Sequence, residues 1–196
     1  GIDLAKLDMR SGLERLAYAL IIIAVATMFA WMVALLLNLQ PVDFLPLNLN
    51  LPEKIVFRLL ASFCGVFGFS VMFNSPAKLA ASAAIIGAIA NTFRLELVDL
   101  FGMPSAAAAF LGALTAGLLA SLLKNHVGYP RIAITVPSIV IMVPGLYLYR
   151  AIYNLGIMLL DVSASWFASA ILIIVCLPLG LIFARILTDK MFRYCN

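Results

Sequence analysis

The chain has 196 residues, 65% of them hydrophobic and 11% charged, with a mean hydropathy of +1.12, whereas soluble domains run roughly half apolar and about a quarter charged. That excludes a soluble enzyme or binding module and predicts an all-α integral membrane protein. The net charge of +4 does not point to nucleic acid, because the basic residues punctuate apolar segments and form no stripe interleaved with aromatics.

A helix needs about 20 apolar residues to cross a hydrocarbon core of roughly 30 Å. Six segments have that length: residues 17–39, 55–74, 77–99, 104–123, 132–155 and 164–187. Residues 1–16 read as a cytosolic connection, and the glycine at position 1 suggests a start inside a longer chain or after a trimmed tag. The first segment is too long for the core of a cleavable signal and lacks a small-x-small cleavage site, so it is expected to stay as a span. Residues 17–54 thus comprise the first span and an outer connection, in which Pro41, Pro46, Pro52 and the Leu/Asn alternation from Leu45 to Leu51 suggest extended chain. Residues 55–196 form a five-span domain with a short cytosolic tail. Its breaks carry turn residues, among them NSPAK after the second segment and FGMP before the fourth, where Pro104 suits a first helical turn.

Lys and Arg accumulate in short cytoplasmic connections. With the amino terminus inside, nine of the thirteen basic residues fall on that side; Lys54, Arg58, Arg94 and Arg150 fall on the other. Both termini are therefore expected in the cytoplasm. Ala80, Ala84 and Gly87 in the third segment, with Gly112, Ala116 and Ala120 in the fourth, predict close approach of two helices.

The third segment also places Gly87, Asn91 and Arg94 on one face, while Glu96 and Asp99 project elsewhere, either as proton-coupling groups or as solvated charges. The fifth segment is interrupted by its own residues. Pro137 and Pro144 remove the donors to the carbonyls of Ala133 and Val140, and Gly145 adds freedom at the same point. Such a break either lines a wet cavity, as in transporters, or is a passive kink. Beyond it Tyr147, Arg150 and Asn154 share a face bordered by Tyr153, which suits either solute contact or snorkelling at the outer interface.

Other chemistry is sparse. Cys64, Cys176 and Cys195 are too far apart to suggest disulfides or a metal cluster, and the lone His126 reads as a surface residue, so neither metal nor cofactor is expected. No nucleophile elbow, zinc-protease, phosphate-loop or dinucleotide motif occurs, and an enzyme is not expected.

Two runs, GFSVMFNSPAKLAASAAIIGAIANTFRLEL at residues 68–97 and YPRIAITVPSIVIMVPGLYLYRAI at 129–152, resemble the carboxy-terminal half of the bacterial threonine/serine exporter family. That half also occurs as a separate small subunit, with a succinate exporter among its relatives. The resemblance covers about 55–187, and its most specific elements are MFNSP at 72–76, Arg94, and the two prolines followed by Gly145. It implies a multi-pass protein of the bacterial cytoplasmic membrane that exports small amino acids or dicarboxylates, driven by the membrane potential or a proton gradient. It also implies a partner half with its own spans and cytosolic region; a homo-oligomer is the alternative. In that frame Asn91 and Arg94 would hold a carboxylate, and Pro137, Ser138, Pro144 and Gly145 would form the broken helix against the substrate. Tyr147 and Arg150 would add contacts, with Glu96 or Asp99 carrying a proton. The competing readings are a non-transporting membrane scaffold or assembly subunit, and a passive channel.

Overall fold

The structure, a computed structural model, describes residues 9–38 and 49–189, which contain helices and turns and no strand. The helices are α1 (Met9–Leu36), α2 (Leu51–Met72), α3 (Ala77–Phe101), α4 (Ser105–Val127), α5 (Arg131–Val140), α6 (Gly145–Gly156) and α7 (Leu160–Thr188). Both termini, Pro41, Pro46, Cys195 and the side chain of His126 lie outside the described residues.

Turn chemistry fixes most helix ends. Asn50 is extended, and its backbone N–H donates to the Glu53 carboxylate (3.2 Å), the returning half of a capping box. Pro52, in the first turn, forfeits no hydrogen bond. α2 therefore starts four residues before the expected 55, and Leu51 is helical, not extended. Asn74 (φ 58°) and Gly102 (φ 60°) turn the chain through the left-handed region after α2 and α3. Pro104 stands just ahead of α4 and its carbonyl accepts the Ala108 N–H (3.0 Å).

Four helices are long and apolar enough to cross a membrane, namely α1 over Ala17–Leu36, α2, α4 over Ser105–Leu123 and α7; α5 and α6 make a fifth if counted as one interrupted span. The difference from six is α3. It has 25 residues but carries Lys78, Asn91, Arg94, Glu96 and Asp99, and ten of its residues are buried under its neighbours. The polar residues Asn91, Arg94 and Glu96 are covered at least in part by neighbouring helices, and the stripe left exposed beside them, Ile85, Ile89 and Phe93, is apolar.

The chain forms two compact units, residues 1–46 with 146–167, and residues 47–145 with 168–196. In the second, α3 is central and packs against α2, α4 and α5. Its close approaches are made by small residues, as expected where lipid supplies no hydrophobic drive between helices. The expected α3–α4 contact forms, with Ala116 and Ala120 fully buried. Gly112, however, faces Ala90 and Arg94, while Gly87 faces Val66 of α2 and the Ser138 carbonyl of α5.

α4 meets α7 even more tightly. A Cβ on Gly180 would lie 2.5 Å from the Phe110 carbonyl, 2.9 Å from Ala113 Cβ and 3.0 Å from the Leu114 nitrogen. Two of these atoms are backbone and cannot rotate away. Gly180→Ala is therefore expected to destabilise the protein by about 1–3 kcal/mol, seen as a lower melting temperature in detergent. α7 nevertheless runs without a break through Pro178.

The first unit holds α1, most of α6 and the beginning of α7. None of the most apolar stretch of α1 is buried. Thr27 and Trp31 of α1, Asn38 in the turn after it, and Tyr149, Tyr153 and Gly156 of α6 line a cavity of about 330 Å³.

Candidate functional site

α5 does not break at Pro137. The helix continues to Val140, and the interruption is residues 141–144. Pro137 and Ser138 are buried, and the Ser138 hydroxyl lies within hydrogen-bond distance of the carbonyls of Ile134 (2.7 Å) and Ala83 (3.0 Å). That clamp to α3 holds the turn around Pro137 in helical form. Pro144, which by the same rule as Pro137 disfavours helical geometry at the residue before it, closes the interruption.

The backbone then tightens. Met142 N–H donates to Ile139 O (2.9 Å), Val143 N–H to Val140 O (3.1 Å) and Gly145 N–H to Val143 O (2.8 Å). Val140 O, expected to be freed by Pro144, is thus recaptured from one residue nearer. Two residues on from Val140, Met142 O accepts a hydrogen bond from Arg94 Nη1 (3.3 Å). The expectation of an unpaired carbonyl facing solute is corrected at Val140, whose acceptor the protein itself occupies. Gly145 is not needed for strain or space: its φ is not positive, and an added Cβ would meet nothing within 4 Å.

Three elements place Arg94. It projects from α3, its Cβ would sit 3.1 Å from a Cβ on Gly112 of α4, and Met142 Sδ would sit 3.2 Å from the same point. Gly112 therefore leaves the slot in which the arginine stem and Met142 lie. Asn91, 5% exposed, donates through Nδ2 to Ser62 Oγ of α2 (2.9 Å), while among the described residues its Oδ1 has no hydrogen-bond partner.

Glu96 and Asp99 face α2. Arg58 pairs with Glu96 through Nη1 (2.7 Å) and with Asp99 through Nη2, and Lys54 Nζ reaches the same Asp99 oxygen (2.6 Å). The solvated-charge reading fails for Glu96, whose side chain is 13% exposed. Sequence reasoning missed Lys54, Arg58 and Ser62 as the counterparts of the α3 polar residues. The signal was their spacing of four, continued by Val66 and Ser70, which makes one stripe along α2.

The remaining predicted residues belong to the first unit. Tyr147 packs edge-on to Trp166 (5.4 Å between centroids), and the Arg150 guanidinium lies 4.8 Å from the centre of the same indole. Asn154 Nδ2 donates to Arg150 O (2.7 Å). This stripe meets α7, whereas the cavity is lined by the other face of α6, with Tyr149 and Tyr153 stacked at 6.4 Å. The sequence-predicted site therefore divides: Asn91, Arg94, Pro137, Ser138, Pro144 and Gly145 come together in one unit, Tyr147 and Arg150 in the other. Among the described residues no group of His, Cys, Asp or Glu is placed to hold a metal.

Residues 58–187 match the model of a family described as Threonine/Serine exporter, ThrE. A protein of Haemophilus influenzae described as uncharacterized is 29% identical over 103 residues, 52% of this chain and 34% of its own length. The chain thus spans about a third of that relative. No solved structure matches it.

Proposed function

The chain belongs to the threonine/serine exporter family, a transport family with several membrane-capable helices in this member, and from that premise we propose that it is the transmembrane subunit or half of a secondary exporter. It moves small carboxylate-bearing metabolites, threonine- or serine-like amino acids or a dicarboxylate such as succinate, out of the cytoplasm across the bacterial inner membrane. A partner half with its own spans and cytosolic region, or a second copy of this chain, completes the assembly. Both termini face the cytoplasm, as the distribution of Lys and Arg supports.

The observation that carries the reading is the Arg94 guanidinium lying on the Met142 carbonyl inside the interrupted fifth span. An arginine at membrane depth is costly and is retained for function. Its planar fork suits a carboxylate held at two oxygens, and a carboxylate taking that fork would release the Met142 carbonyl. Binding is then coupled to the geometry of the break. The buried Asn91 Oδ1, on the same face of α3, offers an acceptor for a substrate ammonium or hydroxyl. Tyr147 and Arg150, in the other unit, are assigned as substrate contacts in their own right.

Single cysteines test this in a background with Cys64, Cys176 and Cys195 replaced. In reconstituted vesicles, Asn91→Cys and Ser138→Cys are expected to react with a small water-soluble thiol reagent, and threonine or succinate is expected to slow that labelling several-fold. Inert positions would instead support a packed scaffold. Labelling without substrate protection, together with flux indifferent to a proton gradient, would support a passive channel.

A further inference from the structure

The cavity between α1 and α6 is lined by none of the residues assigned above to substrate. Its volume of about 330 Å³ is that of a small-molecule site, for which the range is about 300–1,000 Å³. No charged side chain lines it: the wall consists of Trp31, Tyr149, Tyr153, Asn38, Thr27 and apolar residues of both helices. A neutral wall this rich in aromatic and amide groups selects its ligand by means other than an ion pair.

Thr27 is already engaged, its hydroxyl donating to Ile23 O (2.7 Å). The other polar groups of the wall are not. Among the described residues the Trp31 indole N–H, the Tyr149 and Tyr153 hydroxyls and the Asn38 side-chain amide make no hydrogen bond. Tyr149 and Tyr153, one turn apart on α6, have rings only 18° from parallel and 6.4 Å between centroids. With Trp31 contributed by α1, both helices bring aromatic surface and unspent polar atoms to one enclosed space.

The sign of the ligand follows from the wall. Each helix contributes its carboxyl-terminal turn, α1 through Leu35 with Asn38 just beyond it and α6 through Tyr153 and Gly156, and the last carbonyls of a helix carry partial negative charge. Aromatic faces are negative as well. No Lys, Arg or His is present to hold an anion, and no Asp or Glu to replace the water of a strongly hydrated metal ion. We propose that this cavity binds a primary ammonium group, with its charge against the rings of Trp31, Tyr149 and Tyr153 and its N–H donors on Asn38 Oδ1 and the phenol oxygens. The same unit already seats one cation in this way, since the Arg150 guanidinium lies 4.8 Å from the centre of the Trp166 ring.

Two sources carry that group to a membrane protein: the α-ammonium of a threonine- or serine-like amino acid, and the ethanolamine headgroup of phosphatidylethanolamine. The first rests on the exporter reading and sharpens it, because succinate has no ammonium and the cavity would favour amino acids over dicarboxylates. The second needs only a chain embedded in lipid. The ammonium assignment itself depends on neither.

The test reads the fluorescence of Trp31, one of two tryptophans, in the full chain held in phosphatidylglycerol nanodiscs. Threonine and ethanolamine are expected to shift the emission saturably, a response kept in Trp166→Phe and lost in Trp31→Phe. N-acetylthreonine and succinate, which lack the ammonium, should leave it unchanged. Tyr153→Leu should weaken binding by about 2- to 30-fold. Asn38→Asp, which adds a carboxylate to the wall, should tighten it several-fold, a gain that a variant with impaired folding would not give. A response to succinate or N-acetylthreonine equal to that of threonine, or no gain in Asn38→Asp, overturns the site. So does silence towards threonine, ethanolamine and phosphatidylethanolamine nanodiscs alike. A Trp31 shift in phosphatidylethanolamine nanodiscs without any response to threonine assigns the cavity to the lipid headgroup, whereas a threonine response assigns it to the amino acid. Wild-type vesicles that move no threonine, serine or succinate, while ethanolamine still shifts Trp31, would sink the exporter reading and leave the ammonium site standing.

Discussion

Arg94→Ala is expected to abolish export in reconstituted vesicles, bringing flux to the level of protein-free controls, while expression and membrane insertion persist. Two effects act together. The substitution removes the group proposed to hold the substrate carboxylate, and a hydrogen bond to a charged group contributes about 1.5–3 kcal/mol, or roughly a 10- to 100-fold change in occupancy. It also strips Met142 O of the donor that Arg94 Nη1 provides across the break, and a buried acceptor left without a partner costs about 1–3 kcal/mol more. The helix should survive, because Arg94 is only partly buried and α3 is secured elsewhere by Asn91–Ser62 and the clasp with Arg58. Arg94→Lys keeps the charge but not the fork, and should recover a small fraction of the rate. Unchanged export in Arg94→Ala, measured at equal protein density, would remove the arginine from the mechanism.

How much of this was legible depends on whether the signal was local. Asn74, Pro76, Gly102 and Pro104 mark helix ends through their own backbone preferences, so the limits of the second, third and fourth segments fall within a few residues of α2, α3 and α4, whereas α1, with no such marker, begins at Met9, well before the expected residue 17. Family membership rests on short linear runs and was equally visible. Pro137 misled because its effect is decided elsewhere: the Ser138 hydroxyl, set against Ala83 O and Ile134 O, supports a helical turn that proline alone would weaken. The same lesson comes from Pro178, which α7 accommodates. Pairings across helices were invisible for a different reason. Lys54, Arg58 and Ser62 recur at intervals of four, but only the antiparallel register of α2 and α3 tells which α3 residues they meet. Likewise the stripe Tyr147, Arg150 and Asn154 was read correctly as one face, yet Trp166, which gives that face its contact, lies beyond the next turn.

The two glycines beside the break should behave in opposite ways, and the difference shows what holds it in place. Gly145, adjacent to Pro144, looks indispensable in the sequence. Yet Gly145→Ala places its methyl in open space at an ordinary φ, and alanine is favoured over glycine by up to about 1 kcal/mol in a helix. Export and melting temperature are expected to be unchanged or slightly raised. Gly87, more than fifty residues away in sequence, has no such latitude. Its added Cβ would stand 2.7 Å from Val66 Cγ2 and 2.8 Å from the Ser138 carbonyl. Val66 is fully buried, and the carbonyl is backbone, so α2 and α5 must both move outward. Overpacking of this kind costs about 1–3 kcal/mol, and a shift of α5 by a few tenths of an ångström also disturbs the Ser138–Ala83 and Arg94–Met142 hydrogen bonds that fix the turn. Gly87→Ala is therefore expected to lower the melting temperature and to cut export by at least about tenfold. Adding Val66→Ala removes the contact with α2 but not the one with Ser138, so it should restore much of the melting temperature and little of the export. Full recovery of export in the double variant would mean that α2 packing alone matters at Gly87 and that the position of the α5 break does not.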